Sequence, residues 1–520
     1  MSIQLSISPV SRDTADSVRL TPAPPPGRLI DSPRFPVQAR VELGNAVQRK
    51  NLHQAMTTIR AKRAVVTAEL DNWEQLRLAG EAIKNRTLRH LDRYLVQLEE
   101  SLTAAGTTVH WARDAEEANR IIVGLVEESL GERREVVKVK SMATQEIDMN
   151  EALEEAGIAA WETDLAELIV QLGHDRPSHI LVPAIHRNRS EVREIFNEEM
   201  GRYGRPAPEG LDTEPANLAG AARLHLREKF LRAKVAISGA NFAIAESGTL
   251  VVVESEGNGR MCLTLAETLI SVVGIEKVIP TLEDLEVFLQ LLPRSSTGER
   301  MNPYTSLWTG PSSGDGPTTT HVVLIDNGRT KVLADPVGRD ALRCIRCSAC
   351  INVCPVYEKV GGHAYGSVYP GPIGAVLTPM LRGVTSPVDA SLPFASTLCG
   401  ACFDVCPVRI PLPDLLVHMR HKVVEAKAEA ASGGRGLLHP HLEPVLMRAT
   451  GTMFARPSLW AAAVAGGTLG GRILKGHVAH FGPLPWPLAS WTGARDVPIP
   501  PTESYRAWYA RTHHEDGSLK

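Results

Sequence analysis

The sequence predicts an α/β domain with a mostly parallel sheet, entered through amphipathic helices and followed by a helical module organised around cysteines. Two observations carry the first part of that expectation. Short β-rich runs alternate with helical ones from Thr107 to about Asn327, and apolar residues recur at spacings of three and four between Val41 and Gly106. A third carries the rest: CIRCSACINVCP, beginning at Cys344, is nearly repeated as STLCGACFDVCP.

Residues 1–40 are rich in Pro, Ser and Arg without periodicity, which suggests a mobile leader or one draped over a neighbour. Residues 41–106 form a helical segment, read from LHQAMTTIRAKRAVVTAEL and LRHLDRYLVQLEESL. Residues 107–330 form the α/β domain. There TTVHWA precedes the helix DAEEANRIIVGLVEESL, EVVKVK precedes one through MNEALEEAG, IAAWET precedes DLAELIVQLG, and SHILVPA precedes a charged helix from Arg189. Strand alternating with helix at this rhythm means βαβ units and parallel pairing. AKVAISGANFAIAESGTLVVVES reads as strands joined by a Gly-containing turn, and EKVIP precedes the helix TLEDLEVFLQLL.

Residues 331–432 hold the cysteines and a helix from about Pro413 to Ala431, ended by the glycines of SGGRG. Residues 433–520 are a Pro- and Trp-rich C-terminal region, PLPWPLASWTGARDVPIPPTESYRAWY at its end. That region is too apolar for a linker and is expected to pack on the cysteine module. PSLWAAAVAGGTLGG from Pro457 and YGSVYPGPIGAVLTPML from Tyr365 are the uncharged stretches closest to a membrane span, the first short and glycine-rich, the second broken by prolines. Both fall short of the roughly 18–20 apolar residues of a spanning helix; peripheral membrane contact is the minority reading of the first.

Charge excludes little but helps. With 56 basic against 59 acidic side chains the chain of 520 residues carries a formal charge of -3, so no global field favours nucleic acid or an anionic membrane. Seven of the eight cysteines fall within 63 residues, Cys262 being the exception, which is not the scatter of a disulfide framework. The first residues lack a basic start followed by an apolar run, so a reducing, cytoplasmic setting is expected.

The first run has the spacing C-x2-C-x2-C-x3-C-P; the second has Ser396 at its first cysteine position. Zinc knuckles also use C-x2-C pairs, but the dense triplet followed by C-P matches iron–sulfur ligation. In two-cluster ferredoxins the cysteine before proline ligates the other cluster. By that rule Cys344, Cys347, Cys350 and Cys406 hold one 4Fe-4S cluster, and Cys354, Cys399 and Cys402 hold a second with three thiolates. Its remaining iron has Ser396 Oγ, solvent or another side chain, or is lost to leave a 3Fe-4S species. Alkoxide is a harder and less available ligand than thiolate, so Ser396 is read as a loop serine. The 44 residues between Cys354 and Cys399 exceed a compact ferredoxin hairpin. They resemble the helical two-cluster modules in electron-transfer subunits of the succinate dehydrogenase, glycolate oxidase and heterodisulfide reductase types.

VKVKSMATQEIDMNEALEEAGI, SHILVPAIHRNRSEV, ISGANFAIAESGTLVVVESEGNGR, the two cysteine runs and WTGARDVPIPPTESYRAWY together resemble the lactate utilization protein B family over about residues 50–510. The resemblance implies a LUD domain, similar to the ribose-phosphate isomerase and CoA-transferase fold, before a helical ferredoxin module. It implies a part in NAD-independent oxidation of L-lactate to pyruvate, with two partners: a cysteine-rich subunit similar to heterodisulfide reductase and a second LUD protein. It also implies the crossed ligand set, three thiolates on the second cluster included. A stand-alone enzyme handling a hydroxy acid or acyl group in the α/β cleft, and a redox-sensing scaffold, are the alternatives.

Within the α/β domain, Glu246 sits in GANFAIAESGTL with glycines on either side; CoA transferases of a similar fold use a glutamate before a glycine as nucleophile, against the plainer role of capping a turn. Arg260, near Glu256, Gly257 and Asn258, can grip a carboxylate. His186, Arg187 and Arg189 are expected just beyond a strand's carboxyl end, as are Lys138, Lys140 and Ser141. Neither G-x-G-x-x-G nor a P-loop is present, so nicotinamide and nucleotide have no motif behind them.

Overall fold

The computed structural model describes residues 32–131, 133–432, 442–477, 480–481, 497–514, 516 and 518–519. The leader up to residue 31, the SGGRG break and most of the Trp-rich stretch before Val497 lie outside them. Contacts divide the chain into two units, Met1–Glu429 and Ala430–Lys520. Among the described residues no helix is long and apolar enough to cross a membrane.

The first unit begins with α1 (Phe35–Glu42), which starts within the leader expected over residues 1–40 and runs past its end, then α2 (Ala46–Ala68), α3 (Trp73–Arg89) and α4 (Leu91–Ala104). Asn45 caps α2 by accepting the Gln48 N–H. Strand β1 (Thr108–Ala112), α5 (Ala115–Ser129), β2 (Glu135–Lys138) and β3 (Ala159–Glu162) follow at the expected places. Next come β4 (Val235–Gly239), the hairpin β5 (Phe242–Ile244) and β6 (Thr249–Glu254), then β7 (Thr268–Gly274), β8 (Val278–Ile279), β9 (Tyr304–Trp308) and β10 (Thr319–Ile325).

Six strands make one sheet in the order β1-β10-β7-β4-β2-β3, and every neighbouring pair is parallel. All residues of β4 and β7 are buried, as parallel strands covered on both faces must be. A smaller sheet, β8-β5-β6-β9, leans on it. Chain order decides where a cleft can open: β2 leads outward to β3, whereas β4 leads the other way to β7 and β10. The direction of winding therefore reverses between β2 and β4, where open α/β sheets leave a crevice at the carboxyl ends of their strands.

SHILVPA is not a strand. Leu181 N–H and Val182 N–H both donate to His179 Nδ1 at 3.1 Å, so a side chain, not a ladder, satisfies these amides, and Pro183 follows. Because no strand precedes His186, Arg187 and Arg189, they do not stand at a strand's carboxyl end.

The cysteine module has no core of its own. Leu52 and Met56 of α2, Ile83 of α3, and Phe288 and Leu291 of the helix Leu282–Ser296 share one apolar cluster with Cys344, Tyr357, Ile373 and Leu416. The module's helices include Pro355–Val360, Gly371–Arg382, buried from Gly371 to Met380, and Leu412–Ser432. In the second unit PSLWAAAVAGGTLGG lies in the helix Pro457–Leu474.

The α/β-domain loop that carries Ser178 docks closely on the cysteine module. Gly362 N–H donates to Ser178 Oγ (3.1 Å), Tyr357 OH donates to Ser178 O (2.7 Å), and a Cβ on Gly362 would overlap the Ser178 carbonyl. Gly362→Ala is therefore expected to destabilise the protein by about 1–3 kcal/mol, seen as a lower thermal midpoint, while Gly124→Ala, at a position with no neighbour within 4 Å, leaves it unchanged or higher.

Candidate metal centre and the adjoining cleft

Both cysteine runs fold into the same loop. Arg346 and Ser348, flanking Cys347, have φ of 62° each, and Leu398 and Gly400, flanking Cys399, have φ of 56° and 87°. Left-handed residues alternating with ordinary ones turn successive N–H groups to one side, forming the concave nest that Fe–S sites use. Holding non-glycine residues there costs about 1–3 kcal/mol each. A short helix follows each loop, Ala349–Asn352 and Ala401–Asp404.

Cys344, Cys347, Cys350 and Cys406 line a single enclosed chamber, walled by Ile180, Ile345, Arg346, Ile373 and Ile410. A thiol from the second run thus joins three from the first. All seven thiols are free; six are buried and Cys399 is exposed. Burial, and then the neighbouring thiol of Cys406, push the Cys347 thiol well above its usual range. Burial likewise raises Cys402 to about 12, with Cys354 and Cys399 beside it. Such crowded thiols stay protonated unless a cation replaces their protons, which is what iron does. Arg346 N–H donates to Cys344 Sγ (3.4 Å) and Ile410 N–H to Cys406 Sγ (3.3 Å). The donor set therefore fits an iron–sulfur cluster. Ser396 repeats the Cys344 geometry, its Oγ accepting Leu398 N–H at 3.1 Å.

Arginines from the helical front end hold these loops. Arg77 donates to Cys406 O (3.0 Å) and Phe403 O (3.1 Å), Arg63 to Val405 O (3.1 Å), and Arg60 to Asn352 O (3.2 Å).

A second cavity, of about 250 Å³, opens at the reversal point between β2 and β4. Val139, Lys140 and Ser141 follow β2 into it, and Ala240 and Asn241 follow β4. Gly239 permits this approach, since a Cβ there would overlap the Ser141 hydroxyl. Ile180 and Arg346 line both this cavity and the thiol chamber, so one layer of side chains separates them.

That wall is anchored by buried charges. Glu276 binds Arg329 through one oxygen and Arg346 through the other (3.1 Å), and Arg329 also pairs with Glu146 (2.8 Å). Tyr369 OH donates to Glu146 Oε2 (2.6 Å), and the Arg346 guanidinium lies 4.6 Å from the Tyr369 ring centre. Burial works against ionisation of Glu276, but the two arginines override it and hold the carboxyl far below its usual range. Beside it, burial pushes the Lys84 ammonium down to about 8 and that of Lys277, with Arg346 adding repulsion, down to about 7. Across the same cavity, burial and Asp164 raise Glu256 to about 7.

The residues singled out in the α/β domain scatter. Glu246 is exposed just beyond β5, and its Oε1 accepts the Leu282 N–H (2.7 Å) at the start of the helix Leu282–Ser296. His186 is buried against Asp175 (2.8 Å), which also binds Arg187. Arg260 is exposed, its guanidinium 5.3 Å from the Tyr304 ring centre. Lys138 is buried against Glu162 (2.7 Å). Lys140, Ser141, Glu256 and Asn258 do reach the cavity.

Residues 95–333 match the family described as LUD domain, residues 340–410 the 4Fe-4S dicluster domain, and residues 418–514 the C-terminal region of lactate utilisation protein B. Lactate utilization protein B 1 of Bacillus mycoides is 40% identical over 95% of this chain and 100% of its own length. The chain belongs to the lactate utilization protein B family. Within that family, lactate utilization protein B of Bacillus licheniformis is 41% identical over 94% of this chain and 99% of its own, and that of Shouchella clausii 42% over 92% and 98%. A solved DUF162 family protein from Deinococcus radiodurans aligns with 45% of the chain and 98% of its own at 15% identity and a TM-score of 0.25. The parallel sheet and the family matches together make the first unit a LUD domain joined to an iron–sulfur module.

The Glu146–Arg329–Glu276–Arg346 network escaped the sequence reading. Its one local sign is that the charged pair Glu276–Lys277 directly follows the apolar run TLISVVGI. Glu276→Gln leaves two buried guanidinium groups short of a counter-charge, so a loss of about 3–5 kcal/mol is expected at pH 7. Since the folded carboxyl titrates below its unfolded value near 4.3, this stabilisation is fully present above that pH and lost as pH falls through the folded value. Thermal midpoints at pH 7 and pH 4 should show the variant losing less on acidification than the parent.

Proposed function

We propose that this chain is the iron–sulfur electron-transfer component of an NAD-independent system oxidising L-lactate to pyruvate, working in the cytoplasm. The observation that carries this reading is the thiol chamber: Cys406 of the second run shares it with Cys344, Cys347 and Cys350 of the first. That is the set the crossed ligation of a two-cluster ferredoxin requires. Cys354, Cys399 and Cys402 would hold the second 4Fe-4S cluster with three thiolates. The bound clusters would supply reversible one-electron storage. Arg346 N–H and Ile410 N–H, directed at sulfur, favour the more negative, reduced state. The partners proposed are a cysteine-rich subunit similar to heterodisulfide reductase and a second LUD protein; that the relatives are lactate utilization proteins supports the lactate context.

Ser396 is the turn residue of the second loop, its hydroxyl facing as the Cys344 thiol does and taking up the Leu398 N–H. Ser396→Ala is expected to leave iron content and the second cluster's EPR signal unchanged, whereas Ser396→Cys supplies a fourth thiolate and alters that signal. Cys406→Ser should lower iron by about half, since it strips one ligand from one cluster of two.

One layer of side chains between cleft and chamber favours a second reading, in which the LUD cleft itself handles the hydroxy acid and passes electrons inward. Anaerobic incubation of the reconstituted chain with L-lactate separates the two. Under the electron-transfer reading the clusters are reduced only when the partners are added; reduction in the isolated chain would instead establish the second.

A further inference from the structure

The cavity at the reversal point contains many charges, and nearly all are already answered within the fold. Lys140 Nζ donates to Leu181 O at 2.7 Å. Glu254 takes the Gly259 and Arg260 amides, Asp164 those of Ala166 and Glu167, and Glu256 that of Leu165. Arg329 and Arg346 are bound by Glu276. Lys277 is different. It lines the cavity from just beyond the end of β7, a central strand, and among the described residues it makes no hydrogen bond and no ion pair.

The balance of charge points the same way. In the buried network Glu146 and Glu276 balance Arg329 and Arg346, and the Lys84 ammonium is met by the Glu276 carbonyl oxygen. Lys277 is left as a partly buried cation whose solvent is a confined cleft. A charge so placed is stabilised by an anion with an acceptor oxygen. Asp164, Glu254 and Glu256 line the same cavity. Their carboxyls repel a second negative charge and offer acceptors to a hydroxyl, which favours a monocarboxylate over a dicarboxylate.

We propose that the cleft between β2 and β4 is a binding site for a small organic monocarboxylate carrying a hydroxyl or carbonyl group, its carboxylate held by the Lys277 ammonium. The bound anion sits one layer of side chains from the thiol chamber, with Arg346 in the shared wall. Binding therefore disfavours adding an electron to a cluster in that chamber, and reduction of that cluster in turn weakens binding. The proposal rests on the lactate reading only for its choice of probes.

The test is calorimetric titration of the anaerobic, cluster-loaded full chain with L-lactate, pyruvate and malonate. L-lactate or pyruvate is expected to bind one to one and more tightly than malonate. Lys277→Met should weaken that binding about tenfold or more, as loss of a charged hydrogen bond does, and Lys277→Arg should keep most of it, both with unchanged iron content. Absence of binding of either monocarboxylate to the parent protein overturns the proposal. So does a Lys277→Met variant that binds as the parent does while its first cluster changes potential, because the lysine would then be a counter-charge for the cluster alone. Should Lys277→Met not fold, cyanate labelling of the parent decides: carbamylation of Lys277, read by peptide mass spectrometry, is slowed by L-lactate or pyruvate if the site exists and unaffected if it does not. The electron-transfer role is judged separately by partner-dependent cluster reduction, so either idea can fail without the other.

Discussion

Glu276 is the side chain on which the arrangement turns. Its carboxylate is almost wholly removed from water and joins Arg329, which also pairs with Glu146, to Arg346, which stands between two cysteines in the sequence. Dehydrating a carboxylate is costly unless its oxygens are met by cations with good geometry. Here each oxygen has its own guanidinium. The result fixes the position of a cysteine loop relative to the ends of β7 and of the helix Met142–Glu146, so cleft and thiol chamber keep a common wall.

The apolar packing around that anchor explains why the chain is organised as it is. A cysteine loop strained at Arg346 and Ser348 cannot supply its own hydrophobic core. It borrows one from α2, α3 and the helix Leu282–Ser296. The front-end helices lie far from the cysteines in sequence, yet their arginines bind the carbonyls of Phe403, Val405 and Cys406. Since a positive side chain near a cluster both neutralises charge and closes the loop, the same residues serve structure and electrostatics.

The parallel sheet was legible because covered strands and amphipathic helices carry different periods, and β1 to β6 follow that pattern closely. SHILVPA misled because its apolar content serves a loop: Ile180 packs into the wall, while His179 replaces a neighbouring strand as hydrogen-bond acceptor. Spacing together with the crossing rule grouped the cysteines in the sequence; in the fold Cys406 lines the same chamber as Cys344, Cys347 and Cys350. The cleft's polar residues were legible only in part. Lys140, Ser141, Glu256 and Asn258 stood out as strand-end or turn residues, whereas Lys277 and Arg346 acquire meaning only when β7 and the first cysteine loop meet. Glu246 drew attention in sequence as a carboxylate in an apolar run with glycines on either side, and in the fold it accepts a helix amide.

The joint chamber also bears on how the protein is made. A ribosome synthesises Cys344, Cys347 and Cys350 well before Cys406, and the remaining wall, Pro407 to Leu412, comes later still. A nascent chain paused after the first run presents three thiols without the fourth side of their enclosure. The chamber can close only once the second run has emerged and folded back, while the residues after Leu412 are still to be made.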